Sequence, residues 1–231
     1  MEGIREGRAI FANIRKFIVY LLASNVSLAV AVFVVAFASG PRWTPLTPLM
    51  ILCINFVTNG PPALALGIDP ADPAHMSERP RKATEPLLGR SELVAIASLG
   101  LLGGIVALAF YAVPPSRFAS NPEWSRAMAF SVLGYAPLAL AFGLRSLRTP
   151  ALALRPRITR ALVVAVTVSG MVHAFGFAIP ALRPLFRVPM IGGMESLTVL
   201  GASLIPLVSL ELVKVALRVV RMPRAAEPAR T

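Results

Sequence analysis

Residues 49–67 read LMILCINFVTNGPPALALG, an apolar run of membrane length interrupted by Asn55, Thr58 and Asn59 and then by Gly60-Pro61-Pro62. A span of about 20 apolar residues crosses the hydrocarbon core of a bilayer as a helix. Proline offers no amide hydrogen, and in lipid a freed carbonyl has no water to satisfy it. Such an interruption survives only against protein or an aqueous cavity. Broken spans carrying clustered oxygen ligands are a common way for transporters to hold ions near the midplane. No Asp or Glu accompanies the amides of this span, so a cation here lacks its usual countercharge.

Working outward, 56% hydrophobic content and a mean hydropathy of +0.71 over 231 residues are too apolar for a soluble globule of this size. Six runs are long enough to span: 17–38, 46–67, 92–113, 127–144, 161–181 and 196–217, the fourth being the shortest. The expected fold is therefore all-α, an integral membrane six-helix bundle over residues 1–218, followed by a polar cytoplasmic tail at 219–231. Gly40-Pro41, Pro114-Pro115, Thr149-Pro150 and the Pro180–Pro189 stretch punctuate the spans.

The formal net charge of +12 raises the question of nucleic-acid binding, and the placement of the basic residues answers it. Eighteen of the 23 fall in the N-terminal segment, the 69–90 and 145–160 connections and the C-terminal end, while the alternate connections hold only Arg42, Arg117, Arg126, Arg183 and Arg187. This alternation is a topology signal: it places both termini in the cytoplasm and agrees with an even number of spans. The partner implied is the lipid bilayer and its anionic lipids, with no nucleic acid. Trp43, Tyr111 and Trp124 fall at the expected outer ends of spans, where amphipathic rings prefer the interface. Cys53 is a lone thiol within the second span, which excludes an intrachain disulfide or a Cys metal cluster. Residues 1–16 carry charge and no small-residue cleavage signature, so a removable leader is not expected. In the third span Gly100 and Gly104, with Gly103 beside them, form a small-xxx-small pair that lets another helix approach closely.

Several intramembrane polar residues are candidates for chemistry. Ser24, Asn25 and Ser27 lie mid-span in the first run, where such groups serve either as interhelical glue or as ligands. Asn55, Thr58 and Asn59 have i, i+3, i+4 spacing, which in an α-helix places them on one face. Two adjacent helices with facing oxygens would make a cation pocket. Glu211 is the only acid well inside a span, and Lys214 at i+3 indicates a local ion pair. Glu195 sits at a span edge and is expected to be solvated. His173, mid-span and without an acidic neighbour, reads as a packed, hydrogen-bonded group or, less simply, as a proton relay.

At these residues the chain resembles a known family. EGRAIFANIRKFIVYLLASNVS (6–27) is similar to the start of the fifth membrane helix of P-type cation-transporting ATPases of the calcium and sodium/potassium pump group. NFVTNGPPALALGIDPADPAHMSERPRKATEPLLGR resembles the sixth helix and its following loop, with Pro70, Asp72, Met76, Arg79-Pro80-Arg81 and Glu85-Pro86-Leu87. MAFSVL resembles the eighth helix and LVSLELVKVAL the tenth. The resemblance implies that the chain corresponds to the C-terminal six helices of a ten-helix pump. The Asp-Lys-Thr-Gly phosphorylation sequence and the nucleotide pocket are absent from it, so on its own it is expected not to be an enzyme and to bind no cofactor. A catalytic half supplying the other helices would be its partner, in the plasma membrane of a bacterium if the Ala, Arg and Pro richness reflects a GC-rich genome.

The resemblance also carries ligands residue by residue. Asn25, Asn55 and Thr58 match ion-binding positions of the family. Three matched positions that bear acids in calcium-type pumps are here Leu28, Asn59 and Pro137. Hard divalent cations favour carboxylate oxygens, so the expectation is a degenerate cation pathway suited to a monovalent ion or to none, with no metal site. The alternatives left open are a non-catalytic membrane scaffold or regulatory partner of an intact pump, acting through the 69–90 loop, and a truncated reading frame.

Overall fold

The computed structural model describes residues 2–39, 46–70, 86–112, 122–154 and 158–221. In chain order these form α1 (Glu2–Ser39), α2 (Pro48–Leu52), a π-helical segment (Cys53–Thr58), α3 (Gly60–Gly67), α4 (Arg90–Ala112), α5 (Pro122–Gly143), a 3₁₀ turn (Ala151–Ala153), α6 (Arg160–Ala178), α7 (Arg183–Phe186), α8 (Gly193–Ser203) and α9 (Ile205–Arg221). No strand occurs among the described residues, and six helical stretches are long and apolar enough to cross a membrane. The all-α, six-span reading holds.

The helices differ from the expected spans where local chemistry extends or cuts them. At 38 residues, α1 is about 57 Å long at 1.5 Å per residue, nearly twice the hydrocarbon thickness, so its charged first turns project from the bundle as a stalk. The fourth span begins at Pro122 rather than at 127, with Pro in the first helical position, where a missing amide hydrogen costs nothing. The sixth is two helices, α8 and α9, meeting at Leu204; Pro206 has no amide hydrogen to continue the ladder there. α9 runs to Arg221, past the expected start of the tail. Trp43, the loop signature from Asp72 through Glu85 and residues 222–231 lie outside the described residues.

The bundle is built around α5, whose apolar window is 78% buried, against 22% for α6 and for α8–α9. It touches α1, α4, α6, α8, α9 and the π segment. Trp124, Met128, Phe130 and Val132 of α5 join Leu28, Met50 and Ile54 in one buried cluster, while Leu140, Ala141 and Leu144 join Tyr20, Ala63, Leu66 and Leu210 in a second. α1 and α4 make the most extensive helix pair. The expected glycine face is the reason: Gly100, Gly103 and Gly104 receive Val26, Ser27 and Val30 of α1.

At the stalk end, buried ions tie four helices together. Arg145, just past α5, places Nε 3.1 Å from each carboxylate oxygen of Asp69, and Lys16 of α1 places Nζ 3.1 Å from the same carboxylate. Asn13 donates from Nδ2 to the Asp69 backbone carbonyl at 2.7 Å. Nearby, Lys214 donates to Glu211 and to the Gly143 carbonyl, both at 2.6 Å, and Glu211 accepts the Ala151 amide at 2.8 Å. The Glu211–Lys214 pair expected from spacing thus exists. It also satisfies a carbonyl at the C-terminal end of α5, where cations are favoured.

Candidate ion-handling site at the π turn

Pro61 and Pro62 occupy the first positions of α3 and have no amide hydrogens to offer the carbonyls one turn back. The chain answers by widening its winding. Asn59 donates its amide to Ile54 O, five residues earlier, at 2.9 Å, and Asn59 O then accepts from Ala63 at 3.1 Å. The expected break at Gly60-Pro61-Pro62 takes the form of a π turn with a bend at Asn59, through which backbone hydrogen bonding continues. π turns of this kind recur at functional sites. The Val57 carbonyl, which Pro61 cannot serve, accepts instead from Ser169 Oγ of α6 at 3.2 Å.

The π winding also separates residues that α-helical spacing would align. Thr58, fully buried, places Oγ1 3.4 Å from His173 Nδ1 of α6. Asn59, 1% exposed, accepts at Oδ1 from the Tyr20 hydroxyl of α1 at 3.4 Å. The pair thus reaches two different neighbours rather than one shared pocket. Asn55 is half-buried and Asn25 is exposed, so the structure does not join Asn25 to the buried amides. Leu28 packs in the apolar cluster with Met50 and Ile54. Asn59 Nδ2 and His173 Nε2 are buried without a hydrogen-bond partner among the described residues.

His173 is locked by its surroundings. Its ring lies 4.6 Å from Phe130 and 4.9 Å from Tyr135, centre to centre, and Gly134 leaves the space the ring fills. This is the packed, hydrogen-bonded histidine of the simpler reading. Pro137 has no amide hydrogen for the Leu133 carbonyl. Both residues, with Ser24 and Ser27, line a small cavity of about 10 Å³ for the centre of a water-sized particle, about one water's worth. Ser24 and Ser27 donate to Tyr20 O and Ala23 O at 2.9 and 3.2 Å. Among the described residues no cluster of three or more His, Cys, Asp or Glu side chains could hold a metal ion. Glu211, in the interior of α9, is taken up by Lys214 and the Ala151 amide rather than by this polar layer. A small, neutral, oxygen-lined interior is what remains.

Sequence reasoning missed Tyr20 and Ser169. Ser169 sits four residues before His173 on one face of α6, and both address the π turn. That i, i+4 polar pair was the available signal. Replacing Ser169 with Ala is expected to lower stability by about 1–3 kcal/mol, because the Val57 carbonyl would be left without a donor. Ser169→Thr should retain most of it, and thermal unfolding in detergent micelles reads the difference.

The family model described as "Cation transporting ATPase, C-terminus" matches residues 43–216. This chain belongs to that family. It is 32% identical to Calcium-transporting ATPase 1 of Bacillus cereus over 94% of this chain and 26% of the relative. It is 34% identical to the calcium-transporting ATPase of Bacillus subtilis over 89% of this chain and 23% of the relative. A probable calcium-transporting ATPase of Trypanosoma brucei brucei is 26% identical over 83% of this chain and 21% of the relative. The chain spans about a quarter of the length of these relatives. As a cation-transporting ATPase C-terminal region, it is a C-terminal membrane region of the P-type pump architecture, and its π turn falls within the matched segment.

Proposed function

We propose that this six-helix region forms one side of a cation pathway in a bacterial plasma membrane, with its termini cytoplasmic, and that it transports only together with an ATP-hydrolysing half that supplies further helices. The observation that carries this reading is Asn25. Its amide is exposed midway along the membrane-spanning part of α1 and makes no hydrogen bond among the described residues. An amide facing hydrocarbon is costly, and intramembrane polar groups face protein or water. Asn25 therefore marks a face that other helices complete.

The pathway so completed is poor in charge. Leu28, Asn59 and Pro137 leave Asn25, Asn55, Thr58 and Asn59 as neutral oxygen donors, which favours a monovalent cation as cargo over tightly held Ca²⁺. The relatives' names refer to calcium; the donor set is the reason to separate this chain from them. The basic alternation supports the orientation.

The test is a phosphorylation assay on the tagged chain purified from its native membrane in mild detergent. A separate or continuous polypeptide that takes label from ATP onto an aspartate is expected with it, stimulated by millimolar Na⁺ or K⁺. Recovery of no ATP-using species would overturn the dependence on a catalytic half. Stimulation by micromolar Ca²⁺ would overturn the charge-depleted pathway while leaving that dependence standing.

A further inference from the structure

A second cavity lies away from the π turn, where α5, α6 and α8 splay apart at the end of the bundle opposite the stalk. It encloses about 330 Å³, within the range of small-molecule sites. Its wall is mostly apolar, with Phe177, Val199 and Leu200 prominent, and Ser131 and Tyr135 stand at its inner part. Among the described residues the one charged side chain lining it is Arg183, at the start of α7 just beyond the end of α6. Glu195, on the first turn of α8, is not in the wall.

Arg183 is held in place before any ligand arrives. Its Nε donates to Phe177 O at 2.7 Å and its Nη2 to Ala178 O at 3.4 Å, so it satisfies carbonyls at the C-terminal end of α6. Its Nη1 makes no bond among the described residues. A guanidinium fixed at the membrane boundary above an apolar slot matches an anion joined to a hydrocarbon chain.

The geometry points to a bound anionic phospholipid, its phosphate on Arg183 and one acyl chain between α5, α6 and α8. Guanidinium and phosphate pair through charge-assisted hydrogen bonds. The walls belong to membrane-spanning helices, so lipid is the ligand already present at high concentration beside the opening. The acyl chain gains little by leaving one apolar medium for another, because lipid tails and a Leu-lined slot are alike. Selectivity must then come from Arg183, and a basic group near a bilayer surface discriminates by about fivefold in favour of anionic lipid.

The experiment is native mass spectrometry of the purified protein, with whatever accompanies it, from nanodiscs of equal phosphatidylglycerol and phosphatidylcholine carrying the same acyl chains. The protein should retain one lipid with about a fivefold preference for phosphatidylglycerol. R183Q should lose the preference. A174F, which fills the slot without touching the cap on α6, should lose the retained lipid in a protein whose thermal unfolding is unchanged. Retention of both lipids equally by the wild-type protein, an undiminished preference in R183Q, or an undiminished lipid count in folded A174F would each overturn the assignment.

Discussion

Replacing Asp69 with Ala is expected to destabilise the bundle by about 3–5 kcal/mol, the range for breaking a buried ion pair by removing one member, because Arg145 and Lys16 both lose the same carboxylate. The side chains of Asp69 and Arg145 are 3% and 4% exposed, so water cannot take over. Lys16, on the stalk helix, contacts the same carboxylate and is 12% exposed. It can extend its flexible stem toward solvent when the carboxylate is removed, whereas Arg145 cannot. Asp69→Leu combined with Arg145→Met should recover most of the stability, because a buried ion pair exchanged for apolar side chains of similar size is often neutral or better. Thermal unfolding in micelles at fixed detergent concentration decides this. A loss below about 1 kcal/mol for Asp69→Ala would place the cluster in the class of exposed pairs and contradict the packing described. The effect is local to the stalk end, so the π turn should keep its Thr58–His173 and Tyr20–Asn59 contacts in the double variant.

The fold was legible in the sequence because membrane insertion leaves few alternatives. Long apolar runs can satisfy their own backbone only as helices, and alternating basic loops order them. What hydropathy read least well was the most important helix. The fourth span looked weak because Ser125, Ser131, Gly134 and Pro137 dilute its hydrophobicity. Those residues are there because α5 is surrounded by protein and not by lipid. In a bundle the central helix needs small side chains for close approach more than it needs greasy ones. Low hydropathy here was a sign of burial.

The site was legible in composition and not in geometry. Asn55, Thr58, Asn59 and the two prolines all lie at the interruption, as the sequence implies. Their spacing was interpreted with an α-helical period, and the prolines impose a different one. A wider winding sends Thr58 to His173 on α6 and Asn59 to Tyr20 on α1. No count of residues along the span reveals which period the backbone adopts, since that depends on a donor from another helix, Ser169, being ready for the Val57 carbonyl. The exposure of Asn25 was hidden for a related reason: the stripe it shares with Ile10, Ile14, Leu22 and Phe33 is as apolar as a buried stripe would be. Only the packing of the other helices shows which faces of α1 are covered.

The second large effect is expected at the α1–α4 interface, where Gly100→Ala should cost about 1–3 kcal/mol by overpacking. A β-carbon at Gly100 would lie 2.5 Å from Val26 Cβ and 2.9 Å from the Ala23 carbonyl oxygen. At Gly104 the corresponding distances are 2.7 Å to Val30 Cβ and 3.0 Å to the Ser27 carbonyl oxygen. Because backbone atoms are among the obstacles, trimming the facing side chain is not enough, and Val26→Ala should fail to rescue Gly100→Ala. The helices must instead move apart. Once they have, the second methyl meets a gap already opened, so the Gly100→Ala/Gly104→Ala double variant should lose less than the two single losses combined, as expected of residues coupled through one interface. Gly201→Ala in α8 is the control: nothing lies within 4 Å of its added carbon, and relief of unfolded-chain entropy should make it neutral or stabilising by about 0.4–1 kcal/mol. Ser27 lies in the same contact, and it also lines the small cavity beside Pro137. Separation of α1 from α4 should therefore open that cavity. Additive single and double losses, or a full rescue by Val26→Ala, would show that side chains alone set the spacing and that the two helices are not in backbone contact.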